Sequence, residues 1–138
     1  MTKRRSCSAI IFDGKIAMVY NKELHREYWT LPGGGVENNE SLEETAIREA
    51  FEEANLEIKI IRLLYKKELS NIIEHCFLAE PLNAEKINPG YNPEGIEHGI
   101  IEKAEWKNIN DVIKDIQISL VMKKLTTNEI IKYGINLI

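Results

Sequence analysis

The segment Gly34–Leu56 reads GGVENNESLEETAIREAFEEANL and predicts a glycine loop that leads into one amphipathic helix. The loop begins in Leu31–Gly35, where three glycines leave the backbone unrestrained and a proline removes one hydrogen-bond donor. Neither a helix nor a strand interior is expected there. Ser41 is a favourable N-cap, and Glu44 follows three residues later in the capping-box position. The helix is therefore predicted over Leu42–Ala54.

Two neighbouring faces of this predicted helix differ in character. Small and apolar side chains share one arc at helical spacing, and we expect that arc to be buried. Its members are Ala46, Ile47, Ala50, Phe51 and Ala54. The adjacent arc carries Glu49, Glu52 and Glu53 at i, i+3 and i+4 spacing. Asn55 is expected to end the helix, because Asn readily adopts the left-handed conformation that follows a helix.

The three glutamates are poorly placed for helix stability alone. Like charges at i, i+4 cost about 0.2–0.5 kcal/mol per pair, and anions in the C-terminal half of a helix oppose its dipole. A solvated acidic face is the simpler interpretation. The glycine loop, Arg48 and the adjoining apolar arc favour a second one, in which a hard cation such as Mg²⁺ or Mn²⁺ relieves the repulsion and bridges substrate phosphates.

The segment resembles the Nudix box, whose pattern is G-x5-E-x7-R-E-U-x-E-E-x-G-U, with U an aliphatic residue. The matching positions are Gly34, Glu40, Arg48, Glu49, Ala50, Glu52, Glu53 and Leu56. The chain departs from the pattern at Asn55, where the family has glycine, and at Asn38-Asn39, where many members have Pro-Gly. Asn supplies a positive φ or a turn at both places. Tyr28–Gly34 is similar to the family's W-x-LPGG approach, and Glu105-Trp106 is similar to its late E/R-W strand.

The resemblance implies an α+β fold, an α/β/α sandwich with a mixed central β-sheet between helices. We expect one domain over residues 1–138, with the box at 34–56. The implied ligands of Mg²⁺ or Mn²⁺ are the Gly33 carbonyl and the carboxylates of Glu49, Glu52 and Glu53. Glu52 and Glu53 are also expected to be catalytic, although the acid that serves as the base varies within the family. Arg48 is expected to orient Glu40 or Glu49 through a salt bridge.

The remaining site residues are expected around the loop Pro81–Gly99, which is long for a compact domain and is therefore predicted to be functional. A further acid commonly completes such sites. The candidates are Glu94, Glu97 and Glu102, of which we select Glu97 as catalytic. Tyr91 is the best candidate to stack on a substrate base, whereas the other aromatic residues, including Tyr28, are expected in the core. Further substrate contacts are assigned to Gly34, Gly35 and Glu37.

The activity implied by the resemblance is Mg²⁺-dependent hydrolysis of a nucleoside diphosphate linked to a group X. The early first strand favours a MutT-type nucleoside triphosphate pyrophosphohydrolase, because ADP-ribose hydrolases usually carry an extra N-terminal strand region. ADP-ribose, nucleotide sugars and dinucleoside polyphosphates remain alternative substrates. A Nudix domain that binds a nucleotide without cleaving it, as a sensor, is a further alternative. Such domains usually lose a box glutamate, and this chain retains all of them.

Composition limits the partners and the cellular location. The 138 residues carry a net charge of −4, which disfavours general nucleic-acid binding. The cluster Lys3-Arg4-Arg5 is expected to be a solvated terminus. There is no apolar run near 18 residues and no signal-peptide pattern, so we expect no membrane association. Cys7 and Cys76 are expected to be free, buried thiols in a reducing cytoplasm. A small-molecule nucleotide is the expected partner, and monomer and homodimer both remain open.

Hydrophobic periodicity and turn residues place the other elements. The predicted strands are Ser6–Phe12, Lys15–Tyr20, Tyr28–Leu31, one within Leu56–Ser70, Ile72–Ala79 and Ile100–Trp106. Asp13-Gly14 is a strong hairpin signal between the first two strands. A helical turn is expected at Asn110–Ile116. One C-terminal helix is expected at Ser119–Tyr133.

Overall fold

The computed structural model describes residues 2–83 and 100–136, and for residues 100–102 it describes the backbone without the side chains. The strands in these ranges are β1 Lys3–Phe12, β2 Lys15–Lys22, β3 Glu27–Thr30, β4 Gly33–Gly35, β5 Ile58–Leu69, β6 Ile72–Pro81 and β7 Ile100–Asn108. The helices are α1 Leu42–Ala54, α2 Ile109–Val112, α3 Ile116–Lys124 and α4 Thr127–Lys132.

The strands form a mixed sheet organised around β1, with the order β3-β2-β1-β6-β5. β1 runs parallel to β6 and antiparallel to the short β4, which pairs with Arg5–Cys7. The end of β1 pairs with β2, and β2 pairs with both β3 and β7. Asp13 and Gly14 have φ of 51° and 73°. The predicted hairpin is confirmed, because a two-residue turn with positive φ at both positions matches the strand twist.

Helices cover both faces of the sheet, which confirms the α+β sandwich. On one face, Ala50 and Ala54 of α1 join a buried cluster with Ile10, Ala17, Val19, Leu56, Ile58, Ala79 and Ala104. On the other face, side chains of α2 and α3 and of the C-terminal segment join a second cluster, which includes Met18, Leu31, Leu78, Ile109, Ile118 and Val121. The sheet therefore holds α1 and its acids on one side of the molecule.

Helix α1 forms where the sequence predicts it, but its buried face is narrower. Thr45, Ala46, Ala50 and Ala54 are buried. In contrast, Ile47 is 41% exposed and Phe51 is 53% exposed, so the prediction that they are buried is wrong. The alanines form an i, i+4 stripe on which the helix approaches the sheet closely. Ile47 and Phe51 each follow one of these alanines in sequence, so their side chains point away from the contact between the helix and the sheet.

The glycine segment is not the plain loop predicted from its composition. Gly33–Gly35 forms β4 and pairs with Arg5–Cys7 of β1. Glycine permits this close pairing, since a Cβ at Gly33 would lie 2.5 Å from the Cβ of Cys7. The absence of a side chain, which argued against a strand, is what lets the two backbones meet.

The predicted C-terminal helix is two helices. Leu125 has ψ of 140° and breaks the run, and Thr126 then caps α4 in a capping box with Glu129. Asp115 caps α3, so that helix begins earlier than predicted. Two local caps thus override the continuous apolar periodicity.

Cys7 and Cys76 are free and buried, as predicted, although they are neighbours in space. They are Cα partners in the parallel pairing of β1 with β6. The contact with Cys76, together with burial, raises the pKa of the Cys7 thiol. In the part of the chain that the structure describes, every helix is too short or too polar to cross a bilayer.

Candidate active site

An open cleft of about 470 Å³ lies between β4, the C-terminal half of α1 and the β2–β3 region. Its described lining residues are Arg5, Asn21, Glu23, Tyr28, Thr30, Gly33, Gly34, Gly35, Val36, Glu37, Glu49, Glu52 and Glu53. This volume suits a ligand of nucleotide size. The cleft brings together the three predicted glycines, Glu37 and the three acids of the helix.

Glu53 lies beneath the glycine strand. Its Oε1 accepts a hydrogen bond of 2.8 Å from the backbone N–H of Gly33. Burial and, to a smaller extent, the charge of Glu49 raise the pKa of Glu53 to about 8, against the lowering effect of the Gly33 hydrogen bond. An acid in this state is close to neutral at physiological pH until a cation compensates its charge.

Glu49 is the second partly buried acid, one turn earlier on α1. Burial raises its pKa to about 7, and the charge of Arg48 opposes that shift. Gly34 makes room for this carboxylate, because a Cβ at Gly34 would lie 2.6 Å from the Glu49 Cδ. A side chain at Gly34 would therefore displace the Glu49 carboxylate from its present position.

Arg48 links the acids of the loop and the helix, as the sequence predicted. Its Nε donates to Glu40 Oε2 at 2.6 Å, and its Nη1 lies 2.7 Å from Glu49 Oε1 and 3.2 Å from Glu52 Oε2. Its Nη2 lies 3.3 Å from Glu37 Oε1. The hydrogen bond from Arg48 lowers the pKa of Glu40 to about 2. The Arg48 guanidinium thus holds the loop that carries Glu40 against Glu49 and Glu52 of α1.

The donor chemistry of these acids fits a hard divalent cation. Glu49 and Glu53 are partly buried carboxylates on successive helical turns, and the charge of Glu49 raises the pKa of Glu53. Within the described residues, no three His, Cys, Asp or Glu side chains converge on one point as they stand. Instead, Glu49 and Glu52 are turned toward Arg48. The oxygen donors that Mg²⁺ prefers are present on one side of the cleft.

A second group of lining residues comes from β2, β3 and the turn between them, and the sequence analysis missed it. The Tyr28 hydroxyl donates to Glu23 Oε2 at 2.8 Å, and Arg26 Nε donates to Glu23 Oε1 at 2.8 Å. Tyr28 was predicted in the core, yet it lines the cleft. Its neighbour Trp29, on the same strand, packs on the core. Because successive side chains of a strand point to opposite faces, the sequence could have placed Tyr28 and Trp29 on different sides.

Arg5 was also missed. It was expected to be part of a solvated terminus, but it lines the cleft and its Nε contacts Glu74 Oε1 at 3.3 Å. The predicted site residues Tyr91, Glu94 and Glu97 lie outside the described residues. Glu102 belongs to β7, and its side chain is likewise outside the description.

A sequence model of the NUDIX domain matches residues 2–128. The chain belongs to the Nudix family. Among curated relatives, diphosphoinositol polyphosphate phosphohydrolase 3-beta of Bos taurus is 30% identical over 100 residues, which are 72% of this chain and 59% of that protein. RNA pyrophosphohydrolase of Haemophilus influenzae (strain PittEE) is 36% identical over 62 residues, 45% of this chain and 32% of that protein. The chain thus spans less than two thirds of the length of these relatives.

Solved Nudix structures share the fold. A NUDIX hydrolase from Nitrosomonas europaea superposes with a TM-score of 0.70 at 23% identity, covering 87% of this chain and 68% of that one. A MutT NUDIX hydrolase from Burkholderia pseudomallei gives a TM-score of 0.70 at 19% identity, covering 91% and 99%. At these identities the likeness establishes the architecture alone, and it agrees with the sandwich described above.

Proposed function

We propose that this Nudix protein hydrolyses a phosphoric anhydride bond of a nucleoside diphosphate linked to a group X, with Mg²⁺ or Mn²⁺ as cofactor. One observation carries the proposal: Glu49 and Glu53 lie under a glycine strand in an open cleft, with pKa values raised to about 7 and about 8. Titratable groups shifted this far, beside one another in a cleft, are characteristic of functional sites. The pyrophosphohydrolase names of the curated relatives agree with this reaction class.

The role proposed for each residue follows from the geometry of the acids. The Gly33 carbonyl, Glu49, Glu52 and Glu53 would hold the ion, which when bound neutralises pyrophosphate charge and lowers the pKa of a water. Of the two acids of α1 that pair with Arg48, Glu52 is the more exposed, with 29% of its side chain accessible against 13% for Glu49. We therefore assign Glu52 to accept the proton of the attacking water, and Arg48 to orient the acids.

Within this class, a nucleoside triphosphate is the substrate that we favour. Arg5 is the one cationic side chain among the described residues that line the cleft, whereas five of those residues are glutamates. A densely phosphorylated inositol would require many more cations for its phosphates. Tyr28, Asn21 and Thr30 offer an aromatic ring, an amide and a hydroxyl, which suit a nucleoside.

A substrate panel with Mg²⁺ tests the proposal. It contains nucleoside triphosphates and their oxidised forms, ADP-ribose, nucleotide sugars, dinucleoside polyphosphates, 5′-triphosphorylated RNA and a diphosphoinositol polyphosphate. We expect release of pyrophosphate and a nucleoside monophosphate from a triphosphate. The Glu53→Gln variant should release neither product. Glu57→Gln is the matched control, because Glu57 is an exposed acid outside the cleft. Binding of a nucleotide without turnover of any compound would support a sensor domain instead.

A further inference from the structure

Arg5 lies in the acidic cleft but outside the box, and contacts with the described residues occupy only part of its guanidinium. Its Nε contacts Glu74 Oε1 at 3.3 Å, with 31% of the Arg5 side chain exposed. Of the Arg5 contacts within the described residues, this one uses the Nε–H and leaves the two terminal nitrogens for an anion. Burial raises the pKa of both Glu49 and Glu53, and the charge of Arg5 lowers both. Arg5 therefore shares the cleft with both acids, and its positive charge acts on them.

Glu74 holds the guanidinium from the interior. It is 5% exposed and is the Cα partner of Arg5 in the pairing of β1 with β6. Its other oxygen accepts a hydrogen bond of 2.8 Å from the hydroxyl of Tyr65, which is also 5% exposed. Tyr65, Glu74 and Arg5 thus form a chain from the core to the cleft.

Stability alone is a weak reason for this chain. A buried ion pair is often no more stabilising than apolar residues of the same size, because desolvation offsets the attraction. Orientation is a better reason. Without Glu74, the guanidinium would be free to turn onto Glu49 and Glu53, where it would neutralise the acids that the proposed function requires.

We propose that Glu74 and Tyr65 are positioning residues, which hold Arg5 so that its terminal nitrogens bind a phosphate of the substrate and stay away from Glu49 and Glu53. The nature of the substrate rests on the proposed function. The positioning itself makes a distinct claim: the contribution of Glu74 to phosphate binding passes entirely through Arg5. A guanidinium suits this role, since it can bond a carboxylate and a phosphate at the same time.

A double-mutant cycle with inorganic pyrophosphate and Mg²⁺ as the probe tests the inference by isothermal titration calorimetry. We expect Arg5→Gln to weaken binding about tenfold, the loss of one charge-assisted contact. Glu74→Gln should weaken it several-fold, and Tyr65→Phe less than Glu74→Gln. In the Arg5→Gln background, Glu74→Gln should have no further effect.

Glu80→Gln is the matched control. Glu80 lies on the same strand and also accepts from a tyrosine, Tyr133, at 2.6 Å, while Lys132 pairs with it at 3.1 Å, but it is outside the cleft. Its removal should leave binding unchanged. If Glu74→Gln does not fold, Tyr65→Phe, which keeps the buried ring, gives the same cycle.

Three calorimetric results would overturn the inference: no pyrophosphate binding by the wild-type protein, additive losses in the Arg5→Gln/Glu74→Gln variant, or an equal loss in Glu80→Gln. The substrate panel judges the proposed function separately. Turnover in the panel with an unchanged Glu74→Gln variant would remove the positioning role and leave the hydrolase intact. Steady-state kinetics on a panel substrate should show a higher KM and a lower kcat for Glu74→Gln, and neither constant should change further when Glu74→Gln is added to Arg5→Gln.

Discussion

Asn55 has φ of 57° and ψ of 32°, and its N–H reaches the carbonyls of Ala50 and Phe51 at the end of α1. The family pattern has glycine here, and both residue types tolerate this conformation. We predict that Asn55→Gly is neutral or stabilises by up to about 1 kcal/mol, and that Asn55→Val destabilises by more than about 1 kcal/mol. Urea denaturation measures both. Lost turnover in a stable Asn55→Gly protein would show that the Asn side chain serves the reaction.

Glu53 is the residue on which the metal hypothesis depends most directly. Glu53→Gln keeps the shape of the side chain but removes the negative charge that a cation requires. We predict a loss of turnover of at least about a hundredfold with the fold intact, because ligands and catalytic acids commonly contribute this much. Circular dichroism and the panel substrate give the two readouts. Wild-type rates in Mg²⁺ would contradict the assignment.

Residue-scale features were predictable where they depend on close neighbours in sequence. The Ser41–Glu44 capping box and the positive φ at Asn39 and Asn55 follow from local hydrogen bonding and sterics. Arg5 was not predictable. Its partner Glu74 is 69 residues away, and only the pairing of β1 with β6 brings the two together.

At the scale of elements, we predict that alanine substitutions at the three adjacent glycines of β4 differ in their effects. A Cβ at Gly33 meets backbone and Cβ atoms of β1 at 2.5–2.7 Å, so Gly33→Ala should destabilise by about 1–3 kcal/mol. A Cβ at Gly34 meets the Glu49 carboxylate, which can move, so Gly34→Ala should lower turnover more than stability. Gly35→Ala is the control for stability, because a Cβ there would have nothing within 4 Å. Unfolding and kinetics on the same three proteins compare them, and equal effects at all three positions would contradict the graded order.

Helix α1 illustrates what periodicity predicts at the level of elements and what it misses. The helix, its caps and its alanine stripe follow from spacing and capping chemistry. The exposure of Ile47 and Phe51 does not, since it depends on how closely the alanines let α1 approach the sheet. Periodicity also fails at Thr126. It predicts one continuous helix there, but a capping box at Thr126 starts a new helix.

At the scale of the whole molecule, the sandwich class was predictable because the box resemblance carries a fold with it. The strand order was not, since β1 pairs in parallel with β6 across most of the described chain. That pairing and the insertion of β4 beside β1 decide which residues line the cleft. The box resemblance predicts phosphate chemistry, whereas the long-range pairing determines the other walls of the cleft.

The acids also predict how the stability of the whole molecule depends on pH without metal. Glu49 and Glu53 have folded-state pKa values of about 7 and about 8, both raised above the ordinary 4.5. A group whose pKa is raised by folding binds more protons in the folded state, so its favourable contribution is lost as pH rises through the folded pKa. The metal-free protein should therefore become less stable between about pH 5 and about pH 9 on account of these two groups.

A bound divalent ion reverses that trend, because it requires the carboxylate form and displaces the protons. The increase in melting temperature caused by saturating Mg²⁺ should be larger near about pH 9 than near about pH 6. Differential scanning fluorimetry with and without a chelator measures it, and Glu57→Gln serves as the control. In the Glu49→Gln/Glu53→Gln variant, the metal-free decline should flatten and the Mg²⁺ effect should disappear. If Mg²⁺ raises the melting temperature equally at both pH values, Glu49 and Glu53 are not the ligands, and other oxygen donors bind the ion.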